Sequence, residues 1–374
     1  MRDAFRTVLC DLLGIEYPIL QSGMGSVAGP ELVAEVSRAG GLGIIGGLNV
    51  APDELRRHIR RVRALTDRPF GVNLWLHSEL RPPVDAARIP EETIGQVQGT
   101  LNRFRERLGI PPSLARPPAL PDFVEADFEV VLDERVPVFS AGIGNPSAEM
   151  VRRCHERGVT VIAMVATVEA ARDVAAAGVD AIVTQGADAG GHRSVGAKPA
   201  SPAAAMVGTM ALVPQVVDAV EVPVIAAGGI ADGRGLVAAI ALGASGILLG
   251  TRFVATREAT APEFWKKSLL ECEADATTVT DAFTGQWARA LRNTFQAEYE
   301  ASGAPVLPGL LQAVAAQDIY AATTQRGNRE YYPLLAGQSV GLIRDLPGAA
   351  EVVGAIVREA SAVLAALPRR VRAS

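Results

Sequence analysis

Apolar positions fall into short unbroken runs, and longer amphipathic stretches separate them. Tyr17–Gln21 reads as a strand and Pro30–Arg38 as a helix, and Gly41–Ile45 with Asp53–Leu65 repeats the pair. Phe70–Leu74 is a third strand. Val136–Ser140 precedes a helix over Ser147–Arg157, and Val159–Val165 precedes one over Glu169–Ala177. Ala181–Thr184 leads to Met210–Ala219, Pro223–Ala227 leads to Arg234–Leu242, and Gly246–Leu249 is the eighth run. Parallel strands buried on both faces read as continuous apolar runs, and each parallel connection needs a crossover helix. Eight such units predict an α/β fold of the TIM (β/α)8 type. An open doubly wound sheet carries its glycine-rich turn after the first strand. In this chain glycines recur at the ends of several strands, which favours the barrel.

Two segments break the alternation. His77–Glu134 is rich in proline and charge, with Pro82-Pro83, Pro111-Pro112 and Pro117-Pro118, and a helix is expected within it over Thr93–Leu108. An insertion after the third strand lies at the barrel face where active sites form; a lid and a solvated surface excursion are both open readings. Glu258–Tyr332 is mostly helical in pattern, more polar, and too long to be one barrel helix. Gly348–Leu367 reads as one amphipathic helix returning to the barrel. The expected organisation is a barrel from 1–256 and 335–374, interrupted by the 77–134 insertion, with a helical substrate or lid domain over 257–334.

Composition narrows the class. The chain has 374 residues, 49% of them hydrophobic and 21% charged, with a net charge of -5. That balance leaves no basic footprint for nucleic acid. Cys10, Cys154 and Cys272 are far apart, which argues against a zinc site or a disulfide framework. No apolar segment approaches the roughly 20 residues of a membrane span, and no secretory h-region follows the charged start. The expectation is a cytoplasmic enzyme acting on a small molecule, with a homodimer left open.

Candidate chemistry sits at the strand ends, where such barrels place their active sites. The seventh and eighth strands run into Gly228-Gly229 and Gly250-Thr251, the usual place for a phosphate, and backbone amides there bind a dianion without side-chain charge. No GxGxxG turn follows the first strand and no GxxxxGK[ST] loop occurs, so neither of those nucleotide sites is supported. Asn73 and Gln185 place amides at strand ends, suited to the edge of a flat heterocycle, and Met24 suits its face. These features suggest flavin mononucleotide, FMN. Between Gln185 and Arg193 lies Gly190-Gly191-His192. Histidine titrates near neutral pH and moves protons, so His192 is the expected catalytic acid or base. Asp188 either orients it or caps the turn. His77 reads as a surface lid residue more readily than as a pocket residue, and Lys198 as a plain loop lysine more readily than as an anion site. Tyr331, Tyr332 and Trp287 are open between pocket wall and packing. His58 and His155 read as solvated, and Cys272 has no base near it in sequence.

Several motifs together resemble one family. Gln21-Ser22-Gly23-Met24-Gly25, the Gln185–Arg193 loop, Val222–Ile230, Gly250-Thr251-Arg252-Phe253 and Ala336-Gly337-Gln338-Ser339 are similar to nitronate monooxygenases, formerly 2-nitropropane dioxygenases. The resemblance spans nearly the whole chain and is weakest over 77–134. The wider superfamily also holds FMN-dependent enoyl-acyl-carrier-protein reductase II and NADH:quinone reductases. The resemblance implies FMN held by Gly23, Met24, Gly25, Asn73, Gln185, Gly190, Gly191, Gly228, Gly229, Gly250 and Thr251, with His192 beside it. It implies oxidation of an alkyl nitronate by dioxygen to a carbonyl compound and nitrite. NAD(P)H-dependent reduction of an enoyl thioester or quinone is the alternative on the same site, and a flavin- or phosphate-binding barrel without turnover is a third. Departures occur at Ala187-Asp188, where a larger residue and Glu are frequent, and at Ser194-Val195, where glycine usually follows.

Overall fold

The computed structural model describes residues 5–77, 83–195 and 198–370. Eight parallel strands run over Ile19–Gln21, Gly43–Gly46, Phe70–Trp75, Val138–Ile143, Thr160–Val165, Ala181–Gln185, Val224–Ala227 and Gly246–Leu249. From the second strand to the eighth each pairs with the next in the chain, and the first pairs with the eighth. A parallel bridge between Leu20 and Leu42 joins the first strand to the second and closes the ring. This is the expected TIM barrel. Leu20, Ile44, Val138, Ile162, Val183 and Leu248 fill its interior. The short helix Val8–Leu13 plugs the floor with buried Leu9 and Cys10, and the Thr7 hydroxyl anchors it on the Ser245 carbonyl at 2.6 Å.

The crossover helices form where the sequence offers both a start signal and an apolar stripe. Pro52–Leu65 begins on proline, whose missing N–H is no loss in a first turn, and buries Leu55, Ile59 and Val62. Ser147 and Thr167 cap the crossover helices Ala148–Glu156 and Val168–Ala176 through their hydroxyls, each cap contributing about 1 kcal/mol.

The structure revises three expectations. First, the helix that follows the third strand is Val124–Asp133, which packs on that strand and on Pro52–Leu65. It lies inside the 77–134 segment read as an insertion. A run of Glu and Asp hides its Phe128, Val131 and Leu132 stripe. Second, the remaining insertion is not a solvated excursion. Its helix Glu91–Arg107 buries Ile94, Val97, Leu101 and Phe104, and these share one core with Phe283, Phe295 and Tyr299 of the later region. Residues 78–82 of the insertion, Pro82 included, lie outside the described residues. Third, the segment over 257–334 is helical at Glu263–Glu271, Thr294–Ala301, Leu311–Ala315 and Gln317–Arg326, yet also contains strands Thr277–Thr280 and Ala288–Leu291. These form an antiparallel sheet completed by the two-residue strand Gly191–His192.

The tail forms Ala349–Arg370, as the amphipathic pattern predicts. It packs between Gly233–Ala241 and Pro30–Arg38 and so takes the place of the eighth barrel helix. The 257–334 region is therefore an insertion within the eighth unit. Residues 371–374 of the expected barrel tail lie outside the described ones. Among the described residues no helix is long and apolar enough to cross a membrane.

Candidate active site

All twelve residues singled out in the sequence line one cleft at the C-terminal ends of the barrel strands. They are Gly23, Met24, Gly25, Asn73, Gln185, Gly190, Gly191, His192, Gly228, Gly229, Gly250 and Thr251. The cleft holds about 1010 Å³ of empty space, its open mouth included. Its wall also includes Ser22 and Ser339, which fall within the quoted motifs, and Trp75, Gly142, Ile143, Met164 and Trp265, which the sequence reading missed. Gly142, Ile143 and Met164 sit at the ends of the fourth and fifth strands, so the strand-end rule reached them in principle. Trp265 comes from the eighth-unit insertion and carries no such signal.

The phosphate-type end is built from backbone. Gly228 and Gly229 have φ of 109° and 72°, a region that side-chain-bearing residues rarely enter. Thr251 opens a short turn of helix, and its hydroxyl accepts the Gly337 N–H at 2.9 Å. Among the described residues no carboxylate lines the cleft, and His192 is the one titratable side chain in its wall. An anionic group therefore meets no fixed negative charge from the described lining.

The amides are partly committed. Asn73 donates to the Ser140 hydroxyl at 2.9 Å. Gln185 donates to the His192 carbonyl at 2.8 Å and accepts the Ser194 N–H at 2.7 Å, which folds the loop back on its own strand. Ser194, a departure from the family pattern, donates to the Met164 carbonyl at 2.6 Å and lies 3.0 Å from that of Gly142. It thereby ties three strand ends together. Arg193 is buried among the carbonyls of Gln185, Gly186 and Ala205.

His192 is half-buried, with Nε2 2.9 Å from the Thr284 hydroxyl. Its ring meets Trp75 edge-on with centroids 4.8 Å apart. Burial, then the neighbouring His77, pushes its pKa down to about 4. Both effects disfavour the imidazolium, so His192 is neutral at neutral pH. Asp188 does not orient it. The Asp188 carboxylate accepts both the N–H and the hydroxyl of Thr209, capping the helix Thr209–Val217. Burial acts to raise its pKa, but those bonds and the nearby Arg289 hold it below the usual value.

The remaining candidates fall elsewhere. His77 is buried rather than on a surface lid. Lys198 is paired with Asp281 at 2.7 Å and lies over the Trp287 ring; Gly196 and Ala197 beside it lie outside the described residues. Tyr331 packs on Phe104 and Tyr332 on Phe264 and Trp265, and neither they nor Trp287 line the cleft. His58 and His155 lie beside Glu54 and Asp180 away from the cleft. Burial raises the Cys272 thiol above its ordinary pKa, the wrong direction for a nucleophile. Among the described residues no cluster could hold a metal ion.

Known proteins are similar to this chain in sequence and fold. The family model for nitronate monooxygenase matches residues 6–359. A probable nitronate monooxygenase of Staphylococcus saprophyticus is 34% identical over 363 residues, 96% of this chain and 98% of that protein. One from Staphylococcus aureus is 35% identical over 339 residues, 91% of this chain and 93% of its own length. Among solved structures, nitroalkane oxidase from Streptomyces ansochromogenes superposes with a TM-score of 0.85 at 32% identity, covering 96% of this chain and 100% of that one. FabK from Thermotoga maritima superposes with a TM-score of 0.75 at 33% identity, covering 98% and 99%.

Proposed function

The chain belongs to the nitronate monooxygenase family and is an oxidoreductase, and from that premise we propose that it oxidises alkyl nitronates with dioxygen, using FMN, to a carbonyl compound and nitrite. The observation that carries this reading is a cleft whose wall, among the described residues, has no charged side chain and a neutral histidine as its one titratable group.

The residues present fit FMN. The glycine backbone at Gly228, Gly229 and Gly250, with the Thr251 hydroxyl, would hold the phosphate. Gly191 has φ of 74° and no atom within 4 Å of where a Cβ would stand, so the backbone leaves room for a flat ring. Met24, beside Gly250, would lie against that ring, and Asn73 and Gln185 would meet its polar edge. When bound, FMN supplies the electron-transfer chemistry.

The protein's own part is orientation and proton handling. Trp75, Ile143 and Met164 form an apolar wall beside His192 that suits a short alkyl chain. Neutral His192 carries one ring lone pair, which can take the α-proton of a nitroalkane and convert it to the nitronate within the cleft. The alternative is an NAD(P)H-dependent reductase, and the likeness to FabK keeps it in view. The test is an anaerobic absorbance titration of the flavin-loaded protein with propyl nitronate and, in parallel, with NADH. Rapid bleaching by nitronate and sluggish bleaching by NADH are expected. The reverse pattern establishes the reductase, and bleaching by neither would leave a binding barrel without turnover.

A further inference from the structure

We propose that Trp75 is the specificity-determining residue of the cleft, a partition that stops the substrate's alkyl chain short of an apolar cavity behind it. This rests on the reading above, in which an alkyl substrate meets His192, and names the length of chain that the site takes.

The cavity adjoins the cleft at the ends of the second and third strands. It holds about 450 Å³ of empty space, its open side included, and its lining includes Leu48, Leu74, Leu120, Phe123 and Val124. Among the described residues, Trp75 is the one that lines both this cavity and the cleft. On the cleft side its ring is in edge-on contact with His192, the centroids 4.8 Å apart. The partition continues at Leu48, whose Cβ lies 3.5 Å from where a Cβ on Gly25 of the cleft wall would stand. The strand end is built to hold the indole in this place. Leu74 pairs with Ala141 but Trp75 pairs with Ile143, so Gly142 is an extra residue on the fourth strand. Bulges gather beside active sites, where they re-aim a side chain. A Cβ on Gly142 would stand 2.6 Å from Asn73 Oδ1, so glycine lets the bulge close against Asn73. Just past Trp75 the Leu76 N–H donates to the Ile143 carbonyl at 2.6 Å, which ties the backbone to the fourth strand.

The consequence is a limit on chain length. Each buried methylene is worth about fourfold in affinity, or ~0.8 kcal/mol, for as long as the chain finds apolar surface to cover. A chain on the carbon that His192 serves meets the indole first and gains nothing beyond it. With the indole removed, the same chain runs on into the second cavity. Two carboxylates also line that cavity. Asp122 is exposed and Asp127 is buried, and burial raises the Asp127 pKa to about 7, so at pH 6 its carboxyl is mostly neutral and opposes an apolar chain little.

The experiment is isothermal titration calorimetry of the flavin-loaded protein at pH 6 with straight-chain carboxylates from propanoate to nonanoate. These share the planar anionic head of a nitronate and need no turnover. In wild type the affinity should rise as far as butanoate or pentanoate and then level. In Trp75→Ala it should keep rising, about fourfold per methylene, to octanoate. Adding Leu120→Trp to Trp75→Ala fills the cavity from its far side and should restore the wild-type limit, which a general loosening of the cleft would not allow. If Trp75→Ala does not fold, Trp75→Phe should lengthen the limit by a smaller step. Affinity that climbs unbroken to nonanoate in wild type overturns the proposal, since the chain then leaves by the mouth. A limit that stays at the wild-type length when Trp75 is shortened overturns it as well. The same limits should appear in anaerobic flavin reduction by straight-chain nitronates. If nitronates reduce nothing while the carboxylates show the limit and its shift, the nitronate reading falls and the role of Trp75 stands.

Discussion

At the residue scale, the cleft is governed by how burial and neighbours set single protonation states. His192 is held neutral, with a pKa near 4. Activity that needs the neutral ring should therefore be flat across neutral pH and fall only as pH drops through about 4, not near 6.5; a kcat/KM profile with its acid limb near 6.5 would contradict this. His192→Asn should retain the flavin and lose roughly 10²- to 10⁴-fold in turnover, checked by flavin content and steady-state rates. Asp127 shows the opposite sign. It is buried without a hydrogen-bond partner for Oδ1, and burial raises its carboxyl to about 7. A group whose folded pKa is raised gives stability that is present below its unfolded pKa and lost as pH rises through the folded value. Asp127 therefore costs stability progressively as pH rises from about 4 to about 7 and fully above that, while His192, depressed in the fold, costs it as pH falls from 6.5 towards 4. Asp127→Asn should stabilise the protein by about 2–4 kcal/mol at pH 8 and by well under 1 kcal/mol at about pH 4, read from urea melts at the two pH values. Of these residues, His192 was legible in the sequence because two glycines announce a backbone that must approach something. Thr284 was not, since it lies 92 positions away and nothing local marks it. Asp127 was not, because an Asp on a charged helix reads as solvated until its neighbours are known.

At the element scale, the eight-unit alternation was legible because buried parallel strands leave no polar positions to confuse the period. Where a segment's burial depends on a distant partner, the pattern failed. Val124–Asp133 looked like part of a charged insertion, and Ala288–Leu291 is a strand only because Gly191–His192 and Thr277–Thr280 flank it. The glycines of the His192 loop likewise divide into two physical kinds that the sequence does not separate. A Cβ at Gly190 would collide with the backbone of Ala336 and Gly337, so this glycine seats the loop on the neighbouring turn. Gly191 faces open space, and its φ of 74° is what calls for glycine. Gly191→Ala should cost about 1–2 kcal/mol in stability from the left-handed backbone alone and leave the loop in place. Gly190→Ala should displace the loop, with greater loss of stability and of flavin binding. Equal effects of the two substitutions in thermal melts and flavin titrations would refute the distinction.

At the scale of the whole molecule, the barrel supplies a rigid ring of strand ends, and a second core supplies what holds the histidine loop from above. Two chain segments that the sequence kept apart build that core. Phe104 of the third-unit insertion packs on Phe295 of the eighth-unit insertion with ring centroids 4.8 Å apart. Arg105 is buried beside it, with Nε 2.7 Å from Asp318 and a further bond to the Ala315 carbonyl. We propose that the two insertions act as one cap on the barrel mouth. The cap is joined to the chemistry at two places, the pairing of Ala288 with His192 and the hydroxyl of Thr284. A defect in the cap's core should therefore reach His192 although it lies far from it in sequence. Phe104→Ala removes a fully buried ring and should cost about 3–5 kcal/mol. Because the phosphate-type turns and most of the cleft wall belong to the barrel, the variant should still bind flavin below its melting temperature. Its amide protection should fall in Ala288–Leu291 and in the Gly191–His192 strand while the barrel strands stay protected, and kcat should fall with it. Hydrogen exchange followed by peptide mass analysis checks this. Uniform loss of protection across barrel and cap would mean that the two cores unfold as one unit, and unchanged protection at His192 would mean that the cap does not hold the histidine loop at all.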